Sequence, residues 1–193
     1  DLIITHHPVI FKSMKSINED DHIGKMAIKL IKNGISVYSA HTNLDSAPNG
    51  LNDYILNILD LEYVDKLDEN GIGRIGRPKT KINFETFIQK TRNVLKLDSI
   101  RITYNSDLEA FIKKIAVCTG SGAEFIEASK LKGCDLLITG DIKYHDYRYA
   151  EEIGINLADF GHYESENVYM DYLYDLLTDV TEKKGYDVKI ITS

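Results

Sequence analysis

The sequence has few of the residues that cross-link a chain or anchor it in a membrane. Its 193 residues include two cysteines, three prolines and no tryptophan. Cys118 and Cys134 form no CxxC pair, so the sequence indicates neither a disulfide framework nor a cysteine-rich zinc site. We therefore expect a reducing compartment, the cytoplasm. No apolar run approaches the roughly 20 residues that a membrane-spanning helix needs, so no membrane partner is expected.

Positive charge is also scarce. The chain has 23 Lys and Arg residues against 30 Asp and Glu residues, which gives a net charge of −7. Direct nucleic-acid binding is not expected, because a broad contact with a phosphate backbone needs a basic surface. A small-molecule substrate is the expected partner, and a local positive centre such as a metal ion is compatible with this composition.

Strand-like and helical patterns alternate along almost the whole chain. Apolar residues from Ile23 to Ile31 recur at helical spacing, and a β-branched run follows from Ile35. The alternation predicts an α/β fold with layered helices and largely buried, mixed sheets. The polar stretch at 68–71 suggests a junction, so we predict two α/β lobes at residues 1–70 and 71–193. A last strand is predicted at 187–192.

Two parts of the sequence resemble each other. The run at 1–5 (DLIIT) resembles 135–139 (DLLIT), and the run at 34–37 (GISV) resembles 154–157 (GINL). We interpret this as an internal pseudo-repeat, although strand–helix–strand units also look alike by composition. Ligands in open α/β sheets gather at the carboxyl ends of strands, so the polar residues after these runs are expected to face one crevice. They are His6, His7, His41, Gly140, Asp141 and His162.

Three clusters of histidine and carboxylate follow predicted strands. They are His6 with His7, His41 with Asp45, and His162 with Glu166. Each has an ordinary alternative: loop histidines, a turn cap at Asp45, and a carboxylate favoured by a helix N-terminus at Glu166. Imidazole and carboxylate groups are also common ligands of transition metals. The clusters therefore favour a metal site only when they are taken together.

Three of these four histidines, together with the two carboxylates, exceed the four ligands of a structural zinc site and suit two metal ions. Mixed ligands of this kind do not fix the metal, so two divalent ions of Zn, Fe, Mn or Ni are expected. His145 and His41 are candidates for proton transfer or for orienting a ligand. The run at 119–122 (TGSG) lacks the Gly-Lys-Ser/Thr of a P-loop and predicts a tight turn.

Several motifs, taken in order, resemble those of the Nif-three-like dinuclear metal-centre family, whose members are often described as GTP cyclohydrolase 1 type 2 homologues. They are THHP at 5–8, HTNLD at 41–45, TGD at 139–141 with His145, and GHYESE at 161–166. The resemblance implies a two-lobed α/β fold with a metal pair in the cleft between the lobes. It implies that the ligands are His6, His7, Asp45, His162 and Glu166, and that the assembly is a homo-oligomer, often a toroidal hexamer.

The sequence departs from the family pattern at its beginning. Relatives carry a further strand and helix before the THHP motif, and a chain rarely opens inside its own core sheet. We therefore expect that an N-terminal segment of the first lobe is missing. The sequence also lacks the long central insertion of some relatives and resembles the short form.

The ligand set and the resemblance favour a metal-dependent hydrolase acting on a nucleotide or a phosphoester-like small molecule. The family description implies hydrolytic ring opening of a guanine nucleotide. The alternative is a non-enzymatic metal-binding, regulatory or metal-trafficking protein, which would be favoured by a closed coordination sphere. A structural module with degenerate motifs is a third possibility, against which the complete ligand set argues.

Overall fold

The computed structural model describes residues 1–103 and 109–192, and it confirms the mixed α/β fold. The elements in chain order are β1 (Leu2–Thr5), α1 (His22–Lys32), β2 (Ser36–Ser39), α2 (Thr42–Ser46), α3 (Leu51–Ile58), β3 (Leu61–Lys66), β4 (Arg74–Pro78), β5 (Ile82–Asn83), α4 (Phe84–Val94), β6 (Arg101–Thr103), β7 (Phe111–Ile112), β8 (Ile115–Ser121), a 3-10 turn (Ala123–Phe125), α5 (Ile126–Leu131), β9 (Leu136–Gly140), α6 (Tyr144–Ile153), β10 (Asn156–Asp159), α7 (His162–Glu166) and α8 (Tyr169–Lys184). None of the described helices is both long enough and apolar enough to cross a membrane.

The chain divides into two compact units. Unit 1 comprises Asp1–Leu44, and unit 2 begins at Asp45. The division after residue 70 stays a prediction; in this structure that position lies between β3 and β4, which pair with each other in antiparallel fashion.

Unit 1 is built on one strand–helix–strand motif. Strands β1 and β2 pair in parallel, and the helix α1 provides the crossover that a parallel pair requires. The side chain of Asp21 accepts a 2.8 Å hydrogen bond from the backbone N–H of Gly24 and so begins the helix. Gly34 follows the helix with a φ of 63°, a left-handed conformation that glycine adopts without strain. The helix predicted from the apolar spacing is therefore confirmed.

Unit 2 contains a six-stranded sheet with the strand order β3-β4-β8-β9-β10-β6. Strands β8, β9 and β10 are parallel to one another, whereas β3, β4 and β6 are antiparallel to their neighbours. The sheet is therefore mixed, as expected. The three parallel strands direct their carboxyl ends to the same edge, which is where ligands bind in sheets of this kind.

The central strands of unit 2 are buried on both faces. Successive residues of β8 alternate, so that Ile115 and Val117 contribute to one core and Ala116 and Cys118 to the other. Apolar residues of α3 and α4 complete the first core, and those of α5 and α6 complete the second. Burial, with a contribution from the charge of Asp45, raises the pKa of the Cys118 thiol to about 12. This cysteine therefore packs as a small neutral side chain, as its sequence context indicates.

The resemblance between the two sequence runs has a structural counterpart. In unit 1 Leu2 is paired with Ser36, and in unit 2 Leu136 is paired with Asn156. Leu136 occupies the same place in its run as Leu2, and Asn156 occupies the same place in its run as Ser36. Equivalent residues are therefore paired in both strand–helix–strand motifs, which have the same parallel register. This agreement supports the pseudo-repeat more strongly than composition does.

The strand predicted at 187–192 is wrong, because these residues form no strand in the described part of the chain. The helix α8 ends at Lys184 and is followed by Gly185, which has a left-handed φ of 66°. Beyond it Val188 and Ile191 are 58% and 74% exposed. Their apolar, β-branched character suits a strand, but a strand also needs a neighbour, which a local sequence pattern does not reveal.

The buried centre of unit 2 can be tested with two leucines of the same chemistry. Leu136 in β9 is fully buried, whereas Leu131 at the end of α5 is 80% exposed. We expect Leu136→Ala to lower the free energy of unfolding by about 2–5 kcal/mol, because the removed methyl groups leave a cavity. Leu131→Ala should change it by less than about 0.5 kcal/mol. Urea unfolding followed by circular dichroism measures both, and equal losses would contradict the placement of β9 in the core.

Candidate metal centre

In unit 2 the imidazole of His162 lies between two carboxylates. His162 begins α7, directly after the carboxyl end of β10. Its Nδ1 lies 2.7 Å from Oδ2 of Asp141, and its Nε2 lies 3.2 Å from Oε1 of Glu166. The spacing of four residues between His162 and Glu166 brings both side chains to one face of α7.

The two nitrogens of the His162 ring have different roles in these contacts. A carboxylate only accepts hydrogen bonds, so Nδ1 of His162 carries the hydrogen that it donates to Asp141. If Nδ1 carries the only hydrogen on the ring nitrogens, Nε2 presents a lone pair towards Oε1 of Glu166. Such an arrangement is favourable when a positive charge lies between the two atoms. A cation bound by both atoms fits, because carboxylate–histidine pairs commonly orient metal ligands in this way.

Close backbone packing holds α7 against the end of β8. The backbone N–H of Gly120 donates a 2.8 Å hydrogen bond to Oγ of Ser165, whose hydroxyl donates to the carbonyl of His162. Gly120 has a φ of 66°, and a Cβ placed on it would lie 2.3 Å from Oε1 of Glu166. The position therefore requires glycine both for its backbone and for the space that Glu166 occupies.

The end of β9 is packed equally closely against the same turn. A Cβ on Gly140 would lie 2.6 Å from the backbone nitrogen of His162. The next residue, Asp141, has a left-handed φ of 57°, a conformation that Asp and Asn tolerate better than most residues. This turn directs the carboxylate of Asp141 at the His162 ring. In the TGD motif the glycine therefore leaves room for the backbone of α7, and the aspartate contacts the histidine.

A third carboxylate of unit 2, that of Asp45, lies in a buried polar network. The side chain of Asn52, on α3, donates to the carbonyl of Asp45 at 3.2 Å and accepts from the backbone N–H of Thr119 at 3.1 Å. The hydroxyl of Thr119 lies 3.4 Å from Oδ1 of Asp45. Thr119 and Gly120 are consecutive, so the carboxylates of Asp45 and Glu166 both lie against the end of β8.

The backbone after Asp45 is fixed by Arg74, which is 2% exposed. Its guanidinium binds both carboxylate oxygens of Asp53, at 2.6 and 3.1 Å. It also donates to the carbonyls of Ser46 and Ala47, at 3.3 and 2.8 Å. The ion pair with Asp53 and the hydrogen bonds to the two carbonyls offset the cost of burying the Arg74 charge. The same contacts connect the turn after Asp45 to β4.

In unit 1 the structure brings three histidines together. His6 and His7 follow β1, and His41 follows β2. One possible ligand nitrogen from each ring lies within 4.8 Å of the other two, which is close enough to hold a metal ion after small ring rotations. His6 is 3% exposed, and its Nδ1 lies 2.7 Å from the carbonyl of Ala40. Because a carbonyl only accepts, this Nδ1 carries a hydrogen and Nε2 is the possible ligand atom.

The donor sets of both units therefore fit metal binding by their chemistry, and the assignment of five ligands stays a prediction. His145, the other candidate for proton transfer, lies exposed in the first turn of α6, where its ring contacts that of Tyr144 with centroids 5.5 Å apart. Its catalytic role also stays a prediction.

Sequence reasoning missed residues that support the site. Asp141 was expected near the crevice, but no role was assigned to it, and Asn52 and Arg74 were given no role in the site. A signal for Asp141 was available, since it directly follows the carboxyl end of a predicted strand, where ligands of α/β sheets gather. Asn52 and Arg74 lie on other elements, and local sequence patterns carry no information about contacts at that separation.

The fold and these side chains define an α/β protein with residue groups able to hold a metal ion. The chain belongs to the Duf34/NIF3 (NGG1p interacting factor 3) family, whose model matches residues 1–193. The resemblance noted from the sequence motifs is thereby confirmed.

Individual relatives agree with this assignment. A Clostridium perfringens protein described as a GTP cyclohydrolase 1 type 2 homolog is 39% identical over 199 residues, covering 100% of this chain and 74% of the relative. The crystal structure of a hypothetical Staphylococcus aureus protein matches with a TM-score of 0.87 and 25% identity, covering 100% of this chain and 76% of the other. Reduced HcgD from Methanocaldococcus jannaschii matches with a TM-score of 0.80 and 30% identity, covering 93% and 70% respectively.

The close approach at Gly120 leads to a prediction with a matched control. Gly120 and Gly133 have similar φ values of 66° and 71°, but only a Cβ at Gly120 would meet another residue. Alanine at either position should cost about 1–2 kcal/mol of backbone strain. Gly120→Ala should in addition displace the Glu166 carboxylate and weaken zinc binding, measured by titration calorimetry. Zinc affinity reduced equally in Gly133→Ala would show that strain alone is responsible.

The contact between Asp141 and His162 leads to a second prediction. Asp141→Asn keeps the side-chain shape and suits the left-handed backbone, but it removes the charge that orients the ring. We expect zinc affinity to fall roughly 10–100-fold, the usual effect of losing an outer hydrogen-bond partner of a ligand. Asp98→Asn, which removes one exposed charge elsewhere in unit 2, is the control. Unchanged zinc affinity in Asp141→Asn would show that Asp141 does not contribute to the metal site.

Proposed function

We propose that this chain holds two divalent metal ions with His6, His7, Asp45, His162 and Glu166, and that it acts as a metal-dependent hydrolase. The observation that carries the proposal is the geometry of His162, whose Nε2 faces Oε1 of Glu166 at 3.2 Å while Nδ1 is held by Asp141. A ring fixed in this way presents a ligand nitrogen beside a ligand oxygen. The three imidazoles of unit 1 support the same conclusion independently.

The choice of hydrolase follows from the chemistry of the ligands. Two divalent ions, when bound, supply Lewis acidity and activate water near neutral pH, which suits hydrolysis of phosphoesters and of activated ring systems. The description of a relative as a GTP cyclohydrolase 1 type 2 homolog supports a nucleotide as the substrate. We therefore propose a nucleotide or phosphoester-like small molecule as the substrate class.

The residues of the chain have separate functions in this proposal. Asp141 orients the His162 ring, and the hydrogen bond between Gly120 and Ser165 keeps α7 in place. Asn52 holds the Asp45 turn through its backbone carbonyl. His145 is exposed in the first turn of α6, which suits exchange of a proton with solvent or substrate.

Other expectations accompany this proposal. The net charge of −7 supports a role without direct nucleic-acid binding. The reduced state expected for two buried cysteines supports a cytoplasmic location. A homo-oligomer, including a toroidal hexamer, is proposed from the family resemblance alone. Sedimentation measurements on the purified chain would determine the number of subunits.

The proposal is tested by metal analysis followed by an activity screen. Protein purified without chelator should contain about two divalent ions per chain. The screen should cover guanine and other nucleotides and simple phosphoesters, with formate release and phosphate release measured separately. His7→Ala should lose the activity, whereas His22→Ala, which removes an exposed imidazole of the same unit, should keep it.

The outcomes separate the candidate functions. Metal binding without turnover of any tested substrate would favour a metal-binding or trafficking protein over a hydrolase. Folded protein with almost no metal, even after incubation with Zn²⁺ or Mn²⁺, would contradict the proposal. Activity that survives in His7→Ala would also contradict it.

A further inference from the structure

The connection between β1 and α1 forms a cavity within unit 1. This connection runs over residues 6–21, whereas the loops between a strand and a helix usually have about 2–6 residues. The cavity is open to solvent and has a volume of about 580 Å³, within the range of about 300–1,000 Å³ that small-molecule sites occupy. Its lining consists of residues 8–16 with Asp21 and Ile23. The long connection therefore provides room for a ligand.

The lining of this cavity is positively charged, in contrast to the chain as a whole. Residues 7–18 contain Lys12 and Lys15 but no Asp or Glu, while the chain carries a net charge of −7. Both lysines are exposed, and in the part of the chain that the structure describes neither forms an ion pair. Asp21, the acidic residue of the lining, accepts a 2.8 Å hydrogen bond from the backbone N–H of Gly24 and so caps α1. Two unpaired ammonium groups beside a cavity attract an anion.

The same segment also offers neutral hydrogen-bond donors. Among the described residues, none from 8 to 17 takes part in a backbone–backbone hydrogen bond, so their N–H groups remain available. Ser13 and Ser16 add hydroxyl groups to the lining. The end of the segment is fixed against α1, because a Cβ on Gly24 would lie 2.1 Å from the carbonyl oxygen of Asn18. Ammonium, hydroxyl and amide donors together are the groups that bind phosphate.

One aromatic side chain both lines the cavity and contacts a histidine. The ring of Phe11 is part of the lining and its centroid lies 6.3 Å from that of His41, with the two planes inclined by 77°. Phe11 is 74% exposed, so most of its ring surface is open to a planar ligand. Pro8, the first residue of the lining, directly follows His7. A ligand in the cavity would therefore lie next to the histidines of unit 1.

We propose that residues 8–16 form a nucleotide-binding site, in which Lys12 and Lys15 hold the phosphate groups and the ring of Phe11 stacks on the base. The choice of a nucleotide rests on the proposed function, whereas the phosphate and ring contacts rest on the cavity itself. Stacking on an aromatic side chain accepts any base, so this site selects for phosphate more than for base identity. It also places the base, rather than the phosphates, beside His41.

The test measures the binding of GTP, guanosine and inorganic triphosphate to the purified full chain by titration calorimetry. The variant Lys12→Gln/Lys15→Gln should weaken the binding of GTP and triphosphate roughly tenfold or more, because it removes contacts with charged groups, and should leave guanosine unaffected. Phe11→Leu should weaken GTP and guanosine but not triphosphate. The matched control Lys25→Gln/Lys29→Gln removes two exposed ammonium groups of α1 and should leave all three affinities unchanged.

The outcomes distinguish this proposal from the proposed function. Metal content and circular dichroism should be equal in all variants, since every substituted side chain is exposed; if a double variant does not fold, the single substitutions decide. GTP affinity that is unchanged in Lys12→Gln/Lys15→Gln, or that falls equally in the control, would overturn the nucleotide site and leave the two-metal proposal intact. So would a chain that binds none of the three probes. Equal losses of guanosine and triphosphate binding in Phe11→Leu would overturn the stacking. A chain that binds GTP through these lysines but holds no metal would support the site and contradict the proposed function.

Discussion

The imidazole of His162 is held between the carboxylates of Asp141 and Glu166, and a positive charge between the ring and Glu166 would stabilise this arrangement. Its Nδ1 donates to Asp141 at 2.7 Å, so the other nitrogen faces Glu166 at 3.2 Å. A bound cation would satisfy the histidine nitrogen and the carboxylate oxygen together. The polar contacts around these residues serve to keep this geometry in place.

The parallel strands place these groups within unit 2. His162 follows β10, Asp141 follows β9, and Gly120 lies at the end of β8, so adjacent strands supply the candidate ligand, the carboxylate that contacts its ring and the space for Glu166. Glycine is required where another residue comes so close that a Cβ atom would overlap with it, which explains the repeated use of glycine in these motifs. In unit 1 the same parallel register at the end of β1 and β2 brings three imidazoles together. Both motifs thus place polar residues at the carboxyl ends of parallel strands.

Features that depend on local patterns could be predicted from the sequence. The α/β class, the helix α1 and the position of histidines after strands were all readable from periodicity and turn residues. The relation between His162 and Glu166 was readable because four residues make one helical turn.

Features that depend on distant contacts were not readable. Asn52 holds residues 45 and 119, and Arg74 binds Asp53 together with the backbone at 46 and 47, contacts that no local pattern encodes. The strand predicted at 187–192 was wrong for a related reason, since β-branched residues form a strand only beside a partner. Local patterns therefore point to candidate ligands more readily than to the distant residues that pack around them.

The central claim is that a metal ion, rather than a proton, lies between His162 and Glu166. Anomalous diffraction from crystals of the full chain grown with Zn²⁺ tests it most directly. The account predicts a zinc peak about 2.0–2.2 Å from both Nε2 of His162 and a carboxylate oxygen of Glu166. Zinc-saturated crystals with no peak there, and with these two atoms in direct hydrogen-bond contact, would contradict it.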